Sequence, residues 1–114
     1  MDEYINISPA EGLWVVRAGG AVIGESRNAL MLTEGDYPTI VYFPRGDIGM
    51  AFLEPSETRE NHPHMGDASF FSIQTKSVLL KDAAWSYESP NKNVAEIAGH
   101  LAFYATDKVA VERL

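Results

Sequence analysis

The chain has 114 residues, 46% of them hydrophobic, with 16 acidic and 9 basic side chains and a formal charge of −7. That length suits one domain, the apolar content excludes wholesale disorder, and the negative balance, with no Lys/Arg cluster, argues against binding a nucleic-acid polymer. Cysteine is absent, which excludes disulfide scaffolds, thiolate metal sites and cysteine nucleophiles.

In chain order, residues 1–12 read as a loose, acidic lead-in without the basic and apolar regions of a secretion signal. No apolar run approaches the length that spans a bilayer, so a soluble cytoplasmic protein with no membrane partner is expected. Trp14 to Ala18 and Ala21 to Glu25 are predicted strands joined by Gly19-Gly20, because glycine accepts the positive φ of a tight hairpin. Ala29 to Leu32 reads as a strand or a helical turn. Thr39 to Phe43 is β-branched and aromatic and is the clearest strand, ended by Pro44. The stretch from Pro44 to Asp67 reads as a long packed loop, functional by its length, with one or two helical turns over Ile48 to Leu53 and Asp47 as their N-cap. Strands are predicted over Ala68 to Gln74, Ser77 to Leu80, Ala83 to Tyr87, His100 to Tyr104 and Val109 to Val111, with a short helix over Val94 to Ala98. Short strands separated by turn signals indicate an all-β, β-rich single domain: a small antiparallel barrel or sandwich with one or two short helices. The hairpins VVRAGGAVIGES and FSIQTKSVLLKD, each followed by an aromatic strand (IVYF, LAFY), raise the alternative of two similar halves; a plain three-strand meander would look partly alike.

Several residues are chemical candidates. His62 and His64 alternate on an extended segment and so share a side; they are candidate metal ligands, with Glu54, Glu57, Asp67 or His100 to complete a site. A catalytic metal needs three fixed ligands, and solvated loop histidines are the simpler reading. His62, His64, Asp47 and Glu54 are candidate catalytic groups for acid–base work. Arg45, just beyond a strand end, could fork onto a carboxylate or phosphate, or pair with Asp47 or Glu54. Trp85 and Tyr87 alternate on one strand, as core or as a pocket wall, with space beside them from Ala83-Ala84. No nucleophile elbow, P-loop or dinucleotide fingerprint is present, and no cofactor is specified.

The segments YFPRGDIGMAFLEPSE, HPHMGDASFFSI, DAAWSYESP and IAGHLAFY together resemble the bacterial domain of unknown function numbered four-two-seven, also labelled a nucleotidyltransferase. The resemblance runs from about Val15 to Tyr104 and rests on a Y-F-P-R-x-D block, a T-x-x-x-x-P-x-x-G-x-A block and an A-A-W-S-Y block. Tyr42, Pro44, Arg45, Asp47, Thr58, Pro63, Gly66, Ala68, Trp85 and Tyr87 match its pattern. It implies a compact, mostly β domain and no secure mechanism. His62 and Met65 stand where the family usually has cysteine and lysine, which puts any chemistry that needs that lysine in doubt. The paired carboxylates that hold Mg²⁺ in nucleotidyltransferases are not evident.

The leading expectation is therefore a pocket beside the 44–67 segment that binds a small, anionic metabolite through Tyr42, Arg45, Asp47, Trp85 and Tyr87. The alternatives are an enzyme, nucleotidyl-transferring or metal-assisted, and a protein-interaction module that forms a homodimer.

Overall fold

The computed structural model describes residues 4–114. Its strands are β1 (Ile5–Pro9), β2 (Trp14–Ala18), β3 (Ala21–Ser26), β4 (Leu30–Glu34), β5 (Ile40–Tyr42), β6 (Leu53–His62), β7 (Gly66–Gln74), β8 (Leu79–Tyr87), β9 (Ala102–Phe103) and β10 (Val109–Arg113). They form three antiparallel sheets, ordered β1-β4-β5, β10-β2-β3 and β6-β7-β8-β9. Short 3-10 turns lie over Arg45–Asp47, Met50–Phe52 and Lys92–Ile97. The all-β class is as expected; the sheets do not close into a barrel.

The four-stranded sheet organises the rest. Side chains alternate across a strand, and here neighbours in sequence serve different cores. Phe70 and Trp85 pack with Leu32, Tyr42, Val94 and Ile97 in one cluster, while Phe71 and Ala84 pack with Val16, Ile23, Phe43 and Leu101 in the other. The first cluster takes in the β1-β4-β5 sheet through Ile5, Ile7, Leu30 and Ile40. The second takes in β10-β2-β3 through Val16, Ala18, Ile23 and Val109. Two bridges join the layers. Phe43 and Leu101 exchange backbone hydrogen bonds of 2.8 and 2.9 Å, and Gly49 N–H donates to the Ile23 carbonyl at 2.7 Å, beside the Gly24–Ile48 bridge.

Several expectations need correction. Ile5–Pro9 is not a loose lead-in: all five residues pair with β4; residues 1–3 lie outside the described residues. The long loop is mostly strand. β6 runs ten residues against β7, with a register shift between Pro55 and Arg59. Its charges hide any apolar alternation because it is a sheet edge, where charge blocks unwanted pairing, and Pro55 is tolerated at the irregular stretch because it has no N–H to leave unpaired. Ser77–Leu80 and Ala83–Tyr87 are not separate strands. From Leu79 on they are one, β8, bent between paired segments where Asp82 adopts a left-handed φ of 51°. Asp47 caps no helix. It ends the first 3-10 turn, and Gly49 precedes the second without a side-chain cap.

The two hairpins do meet tip to tip, a Cβ on Gly19 falling 2.9 Å from Val78 Cγ2. Their continuations differ, however. β4 and β5 leave β3 for a sheet of their own, whereas β8 and β9 stay in one sheet.

Candidate functional site

A cavity of about 300 Å³ opens between the face of β4–β5 and the face of β6–β8. Cross-strand register explains why there is space. Trp85 lies opposite Phe70 on one side and Ala102 on the other, and Tyr87 lies opposite Ala68. Opposite Tyr87 the small Ala68 side chain leaves room on the cavity side. Ala68 lines the cavity, whereas Ala83-Ala84, which the sequence suggests as the source of space, do not. Across the gap, alternation along β4 puts Leu30, Leu32 and Glu34 on one face, with Ile40 and Tyr42 of β5 paired to Leu32 and Leu30. Glu60 and His62 of β6, Met65 of the turn, Tyr37, Pro38 and Tyr104 complete the rim.

The turn at the rim is fixed from outside. Asn91 N–H donates to the Met65 carbonyl at 2.8 Å and the Asn91 side chain donates to the Pro63 carbonyl at 3.1 Å. Gly66 turns the chain at φ +120°, and a Cβ there would lie 3.3 Å from Pro90 Cα. A non-glycine residue would therefore be strained in φ and crowded as well.

Aromatic rings and carboxylates dominate the cavity. The Trp85 indole donates to the Tyr42 hydroxyl at 3.4 Å, and the two rings meet edge to face with centroids 6.4 Å apart. Tyr104 lies against Trp85, centroids 4.5 Å apart, and stacks over Phe70. Burial pushes the Tyr42 hydroxyl far above the usual tyrosine pKa, against the opposing effect of the Trp85 hydrogen bond and with Tyr87 and Glu34 adding to it. Tyr87 is pushed up to about 12, first by burial and then by Glu34, Tyr104 and Glu60. Tyr104 is raised by burial, Glu60 and Asp82. At neutral pH these phenols are hydrogen-bond donors, not bases. Tyr87 is only 6% exposed, and its hydroxyl has no hydrogen-bond partner among the described residues. Glu34 is 8% exposed. Its ion-pair partner among the described residues is His62, with Nε2 3.6 Å from Oε1, charged only when protonated. Among the described residues no lysine or arginine lines the cavity.

The structure brings Tyr42, Trp85, Tyr87 and His62 together and leaves the other candidates elsewhere. Arg45 is not in the cavity. Its guanidinium forks onto Glu88, with a shortest distance of 2.8 Å, and donates to the Gly99 carbonyl at 3.0 Å. Neither Asp47 nor Glu54 is its partner. Asp47 accepts a 2.6 Å hydrogen bond from Ser26, and Glu54 is exposed on β6 opposite Ser72. His64 stands 6.1 Å, ring to ring, from His62 and 5.7 Å from Tyr4, outside the cavity lining. Among the described residues no three His, Asp or Glu side chains are placed to hold a metal ion, so His62 and His64 gain no third ligand from Glu54, Glu57, Asp67 or His100. Glu34, Glu60 and Tyr104 escaped the sequence reading. Glu34 had a legible signal, since in LMLTE it occupies the position that alternation gives to the buried face.

A family model described as a domain of unknown function (DUF427) matches residues 6–113. The chain belongs to this family. No curated protein matches it. In this DUF427 domain the pattern residues Tyr42, Ala68, Trp85 and Tyr87 all line the cavity, and so do His62 and Met65, the two positions that depart from the pattern. The conforming residues Arg45 and Asp47 instead tie loops together. No helix among the described residues is long and apolar enough to cross a membrane.

Proposed function

We propose that this DUF427 domain binds a small molecule in the cavity between β4–β5 and β6–β8. The observation that carries the reading is Tyr87: a hydroxyl on a nearly buried side chain, facing a cavity and lacking a protein partner among the described residues. The hydroxyl opens onto the cavity, not into the packed core, so its donor is available to a ligand acceptor. A volume of about 300 Å³ sits at the small end of ligand pockets, so the ligand is compact. The expected role of Arg45 as an anion receptor is dropped from this reading, because Glu88 and Gly99 already occupy its donors.

The matching family model carries a short name that denotes an NTP transferase. The residues here do not fit that chemistry. Among the described residues no side-chain group suits a metal ion, and no lysine or arginine in the cavity could take a triphosphate. A different catalytic reading has one observation in its favour: His62 lies 3.6 Å from the Glu34 carboxylate at the cavity rim, where a modest movement would orient the imidazole as a general base.

A thermal-shift screen of amines, organic acids, nucleosides and sugar phosphates tests the binding reading, run on the wild type and on Tyr87→Phe. A hit that raises Tm in the wild type and loses its effect in Tyr87→Phe supports it. If no class raises Tm, the reading fails. Turnover of a hit that is abolished in His62→Ala while its binding persists would favour the catalytic reading.

A further inference from the structure

The cavity combines two features that select the same ligand chemistry. One is its wall of ring systems from Tyr42, Trp85, Tyr87 and Tyr104. Aromatic faces carry negative electrostatic potential and attract cations, most effectively where water is excluded. The other is an acidic side chain with no permanent countercharge. Glu34 is almost fully buried, yet its ion-pair partner among the described residues is an imidazole at 3.6 Å that is charged only when protonated. A buried carboxylate without a permanent cation is costly. Glu60 adds a second negative charge at the rim. Among the described residues no lysine or arginine lines the cavity to answer either of them, and the whole chain, at −7, draws cations toward its surface.

We propose that the ligand of this cavity is a compact organic cation, an alkylammonium or quaternary ammonium group, seated against the Trp85 and Tyr87 rings with its charge answered by Glu34. The proposal rests on the binding reading above and adds the charge of the ligand to it. Around the cation the Tyr87 hydroxyl serves a polar substituent, since its donor is free among the described residues. A carboxylate or phosphate ligand would meet Glu34 and Glu60 with no compensating base, and like charges in a partly dry cavity repel strongly.

The test compares choline with dimethylbutanol, its uncharged carbon isostere, and with acetate, by isothermal titration and thermal shift. Choline is expected to bind at least about tenfold more tightly than the isostere, a margin of about 1.4 kcal/mol; acetate is expected not to bind. Glu34→Gln is expected to remove most of that preference, and Glu60→Gln, an exposed residue of the rim, a smaller part. Because Glu34→Gln alters a buried position, its fold is checked by far-UV circular dichroism, and Glu60→Gln provides the charge test if Glu34→Gln fails to fold. Equal affinity for choline and the isostere, tighter binding of acetate, or choline binding indifferent to both substitutions would overturn the cation assignment while leaving the pocket intact. If neither choline nor any compound of the wider screen binds, the pocket reading itself falls, and the cation assignment with it.

Discussion

Trp85 and Tyr42 come from strands of different sheets, and their rings meet edge to face with the indole N–H 3.4 Å from the phenol oxygen. The contact joins the four-stranded sheet to the β1-β4-β5 sheet at the floor of the cavity. Tyr42 is 2% exposed and Trp85 8%, so neither group can turn to solvent for a substitute partner. Tyr42→Phe keeps the ring and strands the indole donor. At this length the bond is weak, and the expected loss is about 1 kcal/mol, read from the urea midpoint at unchanged m-value.

Tyr87→Phe is expected to behave in the opposite way. Its hydroxyl has no protein partner to lose among the described residues, so stability is expected to stay level or rise by up to about 1 kcal/mol, while ligand binding weakens. A gain in stability with a loss of binding is the pattern of a group retained for function. A fall in stability comparable to that of Tyr42→Phe would mean that the hydroxyl is structural.

The raised phenols are expected to weaken the fold at alkaline pH. A tyrosine titrates near pH 10 when unfolded, and Tyr87 at about 12 in the folded protein, with Tyr42 higher still. Between those values the unfolded chain has released protons that the folded one retains, so folding loses free energy as pH rises. This contribution is fully present below about pH 10 and is lost toward about 12. Urea midpoints measured across that range are expected to fall, and less steeply in Tyr87→Phe. Parallel slopes in the two proteins would contradict the assignment.

Gly24 is expected to be intolerant of any side chain. A Cβ there would lie 2.7 Å from the Asp47 carbonyl oxygen and 2.5 Å from Ile48 Cδ1. The first of these is backbone, so the contact cannot be relieved by a rotamer change. Gly24→Ala is expected to cost about 1–3 kcal/mol, with a lowered Tm and a weakened bridge between β3 and Ile48.

Arg45→Lys separates structural from functional arginine. Lysine keeps the charge but cannot reproduce the fork onto Glu88 together with the bond to Gly99. The pair is partly exposed, at 35% and 48% for the two side chains, so the expected loss is at most about 1 kcal/mol. Binding per folded molecule is expected to stay unchanged, checked by titrating both proteins with the same ligand.

The parts of this architecture legible in the sequence are those where local signals and tertiary context agree. Gly19-Gly20 turns the β2–β3 hairpin, Ile40–Tyr42 is strand, and Trp85 and Tyr87 share a face with a cavity before it. β6 was hidden because an edge strand gains from charge on both faces and shows no apolar alternation; Pro55 and the irregular pairing up to Arg59 disguise it further. β8 looked like two strands because Asp82 interrupts it at positive φ. The partner of Arg45 could not be read because Glu88 lies 43 residues away in sequence, and only the pairing of Phe43 with Leu101 and the turns beside it bring the two together. The cavity was half visible. Two rings of its aromatic wall, Trp85 and Tyr87, share one strand, whereas its charge comes from Glu34, at the end of a strand flanked by β1 and β5 in its sheet.

The most direct test of the central claim is the indole N–H signal of Trp85 in a proton–nitrogen correlation spectrum. The chain has two tryptophans, and Trp14→Phe assigns their signals. Titration with choline, or with the strongest hit of the thermal-shift screen, is expected to move the Trp85 signal in a saturable way, with the same dissociation constant that calorimetry gives, and to move it far less in Tyr87→Phe. A compound that binds and raises Tm while the Trp85 indole signal stays in place would locate the site elsewhere and contradict the account.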